Sequence, residues 1–188
     1  MKKLAIFGSG TGSNAENICR YFSNSNCVKI AFICTNNKDA FIVSRAKKLE
    51  IPIVYTTKNS LNNFTKLRKK LNDYGVDYII LAGFLLKLPV KMVNSYPQKI
   101  INLHPSLLPK YGGRGMYGAN VHHAVIKNKE TESGITIHFV NELYDEGRVI
   151  FQKKLVVSVN ETVKSLEKKI RLLELEYFPK IIEKILLR

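Results

Sequence analysis

In the first half of the chain, apolar residues alternate between short continuous runs and helical stripes. Leu4-Ala5-Ile6-Phe7, entered from Lys3, is apolar on both faces and reads as a short buried strand. From Ala15 to Phe22 the apolar positions Ile18 and Phe22 are four apart, which predicts a helix. The alternation repeats with a strand over Val28 to Cys34, a helix over Asp39 to Leu49, and a strand opened by Ile51-Pro52-Ile53-Val54-Tyr55. Phe64, Leu67 and Leu71 return to helical spacing. Val76 to Ala82 is strongly apolar and is the best candidate for a central strand, with a turn after it over Gly83-Phe84-Leu85-Leu86-Lys87-Leu88-Pro89. Strands apolar on both faces, with helices between them, predict an α/β fold: a mostly parallel twisted sheet covered by helices on both sides.

Ile100-Ile101-Asn102-Leu103-His104 is a further strand, stopped by Pro105 because proline cannot continue a central ladder. Beyond it the texture changes. Tyr111-Gly112-Gly113-Arg114-Gly115-Met116-Tyr117-Gly118 predicts a mobile glycine-rich loop, and Asn120 to Lys127 a short helix. Ile135 to Val140 alternates like a strand, and Val149 to Val159 is another, joined to it through Tyr144-Asp145-Glu146-Gly147. Two strands so linked predict an antiparallel extension of the sheet. Glu161 to Leu187 predicts a long amphipathic helix, with Val163, Leu166, Ile170, Leu173 and Tyr177 on one face and a kink or break at Pro179.

The length of 188 residues suits one domain, with no repeat or linker in view. No apolar run is long enough to span a membrane, and the chain enters a strand at once, so a cytoplasmic protein without a membrane partner is expected. Cys19, Cys27 and Cys34 form no C-x-x-C pair and read as free thiols of a reducing compartment. The net charge of +15 comes mostly from scattered Lys, without interleaved aromatic residues, in a chain also rich in Asn and Ile. That texture speaks against a nucleic-acid partner. It leaves two readings, a compositional bias or an attraction for anionic substrates.

Two stretches carry candidate chemistry. Gly8-Ser9-Gly10-Thr11-Gly12-Ser13-Asn14 joins the first strand to the first helix, where exposed N–H groups can cradle a phosphate. The letters exclude a dinucleotide fingerprint, which needs its third glycine where Ser13 stands, and a P-loop, which needs Gly-Lys in place of Ser13-Asn14. The loop suits one phosphate of a small ligand, or it is a tight turn that caps the helix. Asn102 and His104 are two apart, so a strand points both to one face, at the carboxyl end where open α/β sheets bind ligands. They are either a catalytic amide–imidazole pair or a hydrogen-bonded core pair. Asp145 is a turn former whose interest depends on reaching His104, since a nearby carboxylate favours an imidazolium. Adjacent His122 and His123 diverge by about 100° on a helix and make a poor chelate. His138 faces away from Ile137 and Phe139, and no metal site is expected. No H-E-x-x-H or G-x-S-x-G occurs.

Asn102-Leu103-His104-Pro105-Ser106-Leu107-Leu108-Pro109 resembles the signature of the folate-dependent formyltransferases. Gly12-Ser13-Asn14, Ala82-Gly83-Phe84 and Asp145-Glu146-Gly147 follow in that family's order, so the resemblance covers essentially the whole chain. It implies a single-domain Rossmann-like formyltransferase fold over residues 1–188. A phosphate-binding half would run to about residue 100, and a catalytic and folate-binding half from there on. The combination is most similar to the members that formylate the amine of 5-phosphoribosylglycinamide in purine biosynthesis, with 10-formyltetrahydrofolate as co-substrate and no metal. Carried over, Gly12, Ser13 and Asn14 would hold the ribonucleotide phosphate, and Glu174 would lie near its glycinamide end. Leu85, Leu86, Lys87 and Leu88 would line the folate pocket with Asn141, Glu142, Leu143, Tyr144 and Asp145, and Asn102 would reach it too. Asn102, His104 and Asp145 would be the catalytic trio.

Two departures stand out. The 111–133 region is longer than in many members. No arginine stands near Ser60 to Phe64, where some members use one at the folate, which leaves Lys66 or Arg68 as substitutes. Within the superfamily, tRNA formyltransferases normally add a C-terminal domain and formyltetrahydrofolate hydrolases an N-terminal one, and this sequence shows neither pattern. A non-catalytic nucleic-acid-binding module on the same fold is the rival from another class. A monomer or homodimer is expected.

Overall fold

A computed structural model describes residues 1–187. Its frame is a seven-stranded sheet in the order β3-β2-β1-β4-β5-β6-β7. The first five of these in space are parallel: β3 (Ile53–Tyr55), β2 (Val28–Thr35), β1 (Lys2–Phe7), β4 (Tyr78–Leu81) and β5 (Ile100–His104). The antiparallel extension is β6 (Glu132–Phe139) and β7 (Val149–Val156), as the alternation of the second half predicts.

Alternate residues of the central strands enter different cores. Leu4 and Ile6 pack on one face of the sheet, Ala5 and Phe7 on the other. Beneath the first face lie α1 (Ser13–Tyr21), α2 (Phe41–Lys48), α6 (Ala119–Lys127) and the long α7 (Val163–Leu186). The other face is covered by α3 (Lys58–Asn63), α4 (Thr65–Tyr74) and α5 (Val90–Ser95). Two of these helices, α3 and α5, are not foreshadowed by the pattern of apolar positions. Phe64, expected inside a helix, instead stands between α3 and α4 at φ 63° with its ring buried.

Pro179 neither breaks nor ends α7, which runs through it for 24 residues. A proline at that position leaves the carbonyl of Leu175 without its intrahelical donor. Asn17 Nδ2 of α1 donates to that carbonyl at 2.7 Å, so the gap in one helix is closed by a side chain of another. Among the described residues no helix is long and apolar enough to cross a membrane.

Candidate active site

The sheet reverses its winding between β1 and β4: from β1 the chain moves outward to β2 and β3, then returns to place β4 on the other side. Loops leaving neighbouring strands at such a point diverge and leave a crevice at their carboxyl ends. Here those loops are Gly8–Gly12 and Ala82–Leu88, and Ser9 joins them. Its backbone N–H donates to Gly83 O at 3.0 Å, and its hydroxyl accepts from Leu85 N at 2.9 Å. Gly12 must be glycine, because it sits at φ 73° and a Cβ there would lie 2.6 Å from Ile42. A cavity of about 530 Å³ opens at this place.

At its centre lie Asn102, His104, His138 and Asp145. Asn102 is paired across the β5–β6 ladder with His138, so both project to the same side. Asn102 Nδ2 is 3.1 Å from His138 Nε2 and 3.4 Å from Asp145 Oδ1. His104 is buried. Its Nε2 lies 2.7 Å from the carbonyl of Tyr111, which can only accept, so that nitrogen carries a hydrogen. Its other nitrogen, Nδ1, is 3.6 Å from Asp145 Oδ2. The same carboxylate oxygen accepts from Gly113 N at 2.9 Å. The expected trio therefore meets around one carboxylate, and His138, which no local sequence pattern marks, lies beside it. Burial lowers the pKa of His138, against the opposing pull of the Phe139 carbonyl and of Asp145.

The helix-terminus end is built by α1 and α7. Gly12 is the N-cap of α1, whose first intrahelical bond runs from Glu16 N to Gly12 O, leaving the N–H groups of Ser13 and Asn14 for a ligand. The Asn14 side chain is committed elsewhere, since its Nδ2 donates to Glu174 Oε2 at 2.8 Å. Its Oδ1 is buried without a partner among the described residues. Burial pushes the Glu174 carboxyl above its ordinary pKa, although Asn14 and Arg171 favour the charged form. Arg171, one turn before Glu174 on α7, also lines the cavity and supplies the cation that an anion would need there. It becomes visible only once the inward face of α7 is known.

The remaining walls come from the two loops expected to line a folate pocket. Leu85, Leu86, Lys87 and Leu88 line the cavity, as do Asn141, Leu143, Tyr144 and Asp145, whereas Glu142 is exposed and is not among the lining residues. Leu85, Leu143 and Tyr144 leave 52%, 56% and 39% of their surface exposed, an uncovered apolar rim on one side of the opening. Lys87 lies 4.9 Å over the Tyr144 ring. Neither Lys66 nor Arg68 reaches this cavity. Arg68 belongs to a separate hollow with Phe64 and Lys91, because α4 covers the opposite side of the sheet.

The glycine-rich 111–118 segment forms another wall and is tied at its start. Tyr111 hydroxyl donates to Glu130 at 2.9 Å, and Gly113 is held by Asp145. His122 of α6 is buried against the cavity with Nδ1 unpartnered among the described residues, and burial lowers its pKa. No group of three or more His, Cys, Asp or Glu close enough to hold a metal occurs among the described residues.

Residues 2–182 match the formyl transferase family. The chain is 39% identical over 175 residues to a chloroplastic phosphoribosylglycinamide formyltransferase of Arabidopsis thaliana, covering 90% of this chain and 60% of that protein. It thus spans about 60% of the length of the plant relatives it matches. It is 35% identical over 189 residues to the phosphoribosylglycinamide formyltransferase of Haemophilus influenzae, covering 97% of this chain and 86% of that one. Among solved structures, that of the Anaplasma phagocytophilum phosphoribosylglycinamide formyltransferase superposes with a TM-score of 0.90 at 31% identity, over 99% of this chain and 87% of that chain.

Proposed function

Because the chain belongs to the formyl transferase family, we propose that it transfers the formyl group of 10-formyltetrahydrofolate to the amine of 5-phosphoribosylglycinamide, a step of purine biosynthesis. The observation that carries this reading is that one cavity is lined at once by a helix N-terminus, by the Asn102–His104–Asp145 cluster and by an uncovered apolar rim. A phosphorylated amine, a carbonyl-transfer chemistry and a flat heterocycle each find a matching wall. The rim formed by Leu85, Leu143 and Tyr144 fits the ring system of a folate, since a ligand ring would cover apolar surface that the fold leaves open.

The amine attacks the formyl carbon of 10-formyltetrahydrofolate, with negative charge building on the formyl oxygen. Collapse then breaks the formyl carbon–N10 bond, and the proton lost by the amine ends on N10 of the departing tetrahydrofolate. The N–H groups of Ser13 and Asn14 together with Arg171 hold the phosphate, which places the amine. Glu174, fixed by Asn14, borders the substrate's glycinamide end. Asn102 Nδ2 donates to the developing oxyanion, and such a donor typically contributes a factor of about a hundred to a thousand. His104, anchored through Nε2 on Tyr111, is left to exchange a proton through Nδ1, on the side facing Asp145. Asp145 keeps that ring turned. The free thiols Cys19, Cys27 and Cys34 support a cytoplasmic setting.

The test is formyl transfer from 10-formyltetrahydrofolate to 5-phosphoribosylglycinamide, methionyl-tRNA or water, for wild type and His104→Ala. Transfer confined to the ribonucleotide, lowered by about two to four orders of magnitude in the variant, is expected. Formate release at the same rate without any amine would overturn the transferase reading.

A further inference from the structure

His138 touches two members of the trio and takes no part in the reaction so far described. Only 1% exposed, it lines the cavity beside Asn102. Its Nδ1 lies 3.0 Å from the carbonyl of Phe139. A carbonyl only accepts, so Nδ1 carries the hydrogen and the neutral ring presents a bare Nε2. Burial favours that neutral form. The charged or titratable groups facing the ring are Asp145, 3.7 Å from Nε2, and His104.

The bare nitrogen decides how the Asn102 amide is turned. At 3.1 Å it needs a donor, and Asn102 can offer one only by pointing Nδ2 toward it. The opposite orientation would set two acceptors against each other. One amide hydrogen is thereby consumed in a well-formed bond. The second has a fixed direction in the amide plane, toward Asp145 Oδ1 at 3.4 Å. That longer contact is the weaker one, and it is the hydrogen a ligand oxygen can take.

We propose that His138 is a positioning residue: as its Nδ1–H tautomer it fixes the Asn102 amide so that an N–H, rather than the carbonyl, faces the oxygen of the reacting formyl group. The inference rests on the formyl-transfer reading above. Fixing the amide beforehand avoids reorienting it as charge develops, which is where such donors gain their effect.

Three variants separate positioning from packing. In His138→Gln the side-chain carbonyl can reach the place of Nε2 and accept from Asn102. His138→Asn keeps a donor near Nδ1 without that acceptor, and His138→Leu keeps bulk alone. The Asn and Leu variants are expected to lose about ten- to a hundredfold in kcat, with KM for both substrates within about threefold, and the Gln variant to recover most of the loss. Joined to Asn102→Ala, His138→Leu is expected to add nothing further. A double variant slowed by the product of the two single losses, or a Leu variant with wild-type kcat, would overturn the proposal.

A readout independent of turnover is the Asn102 side-chain amide by 15N NMR. One proton should be shifted downfield and slow to exchange in wild type and His138→Gln, and ordinary in the Asn and Leu variants. An amide signal indifferent to all three substitutions also overturns the proposal. If wild type transfers formyl to no acceptor, the reaction reading fails alone, and the amide signal still decides the orientation.

Discussion

Asp145 sits at φ 55°, in the left-handed region that non-glycine residues seldom occupy, and from there its carboxylate meets His104, Asn102, His138 and Gly113. Its neighbours explain how the backbone can pass: a Cβ at Gly147 would lie 1.6 Å from Phe139 O, and one at Gly112 would lie 3.3 Å from the Asp145 Cβ. At this scale Glu174 gives a prediction with a definite sign. Its carboxyl pKa is raised in the folded state, chiefly by burial. The folded protein therefore carries no penalty below the ordinary carboxylate value, where the group is neutral in both states. It loses stability as pH climbs from there through the raised value. Glu174→Gln removes that titration. The melting temperature of the variant minus that of wild type should grow as pH rises from about 4 to about 7. A difference that stays flat, or shrinks with rising pH, would show that the carboxylate is not penalised. Asn102 and His104 were legible in the sequence because two residues apart on a strand means one face. Asp145 was open in the sequence as a turn former whose interest depends on reaching His104, and only the resemblance placed it in the trio, since a turn aspartate has no periodicity. His138 was passed over because its partner depends on the β5–β6 register, which no local pattern records.

The elements themselves were read most easily where both faces are buried. β1, β4 and β5 are short apolar runs, and their apolar residues have few other places to go. The helices α3 and α5 were missed for the opposite reason. Lys58–Asn63 buries only Leu61, and six residues are too few to establish a period, so the Thr57 side-chain cap on Ser60 N was the sole local signal. α7 shows a rule outweighed by its surroundings. A proline inside a helix costs about 3 kcal/mol relative to alanine, partly through the orphaned carbonyl. Here Asn17 satisfies the Leu175 carbonyl. Asn17→Ala is therefore expected to destabilise the protein by about 0.5–1.5 kcal/mol in urea unfolding, the range for losing an ordinary hydrogen bond to a half-buried carbonyl. In a Pro179→Ala background the restored N–H of residue 179 can take over that carbonyl, and the same Asn17→Ala change should cost markedly less. Equal costs in the two backgrounds would mean that the contact does not compensate for the proline.

Over the whole molecule, the quantity to explain is charge. Thirty Lys and Arg residues against fifteen Asp and Glu give +15, enough in principle to steer anionic substrates. Steering depends on where the charge sits, because clefts lined by one sign focus the field while scattered surface lysines are screened within about 8–10 Å at physiological salt. The cavity does not concentrate the excess. Lys87, Arg114 and Arg171 on its walls are matched by Asp145, Glu167 and Glu174. Much of the surplus lies on exposed positions elsewhere, such as the outward faces of α4, β7 and α7. The expected consequence is a weak dependence on ionic strength: kcat/KM for formyl transfer to the ribonucleotide should change by less than about threefold from about 20 to about 200 mM salt. A surface that guides its substrates would lose about tenfold or more over that span. Such a loss would shift the explanation of the basic composition from residue usage to substrate capture. A shallow profile leaves local geometry to do the selecting: the α1 terminus, Arg171 and the Asn14–Glu174 pair would then hold the phosphate and amine with little help from the field of the whole chain.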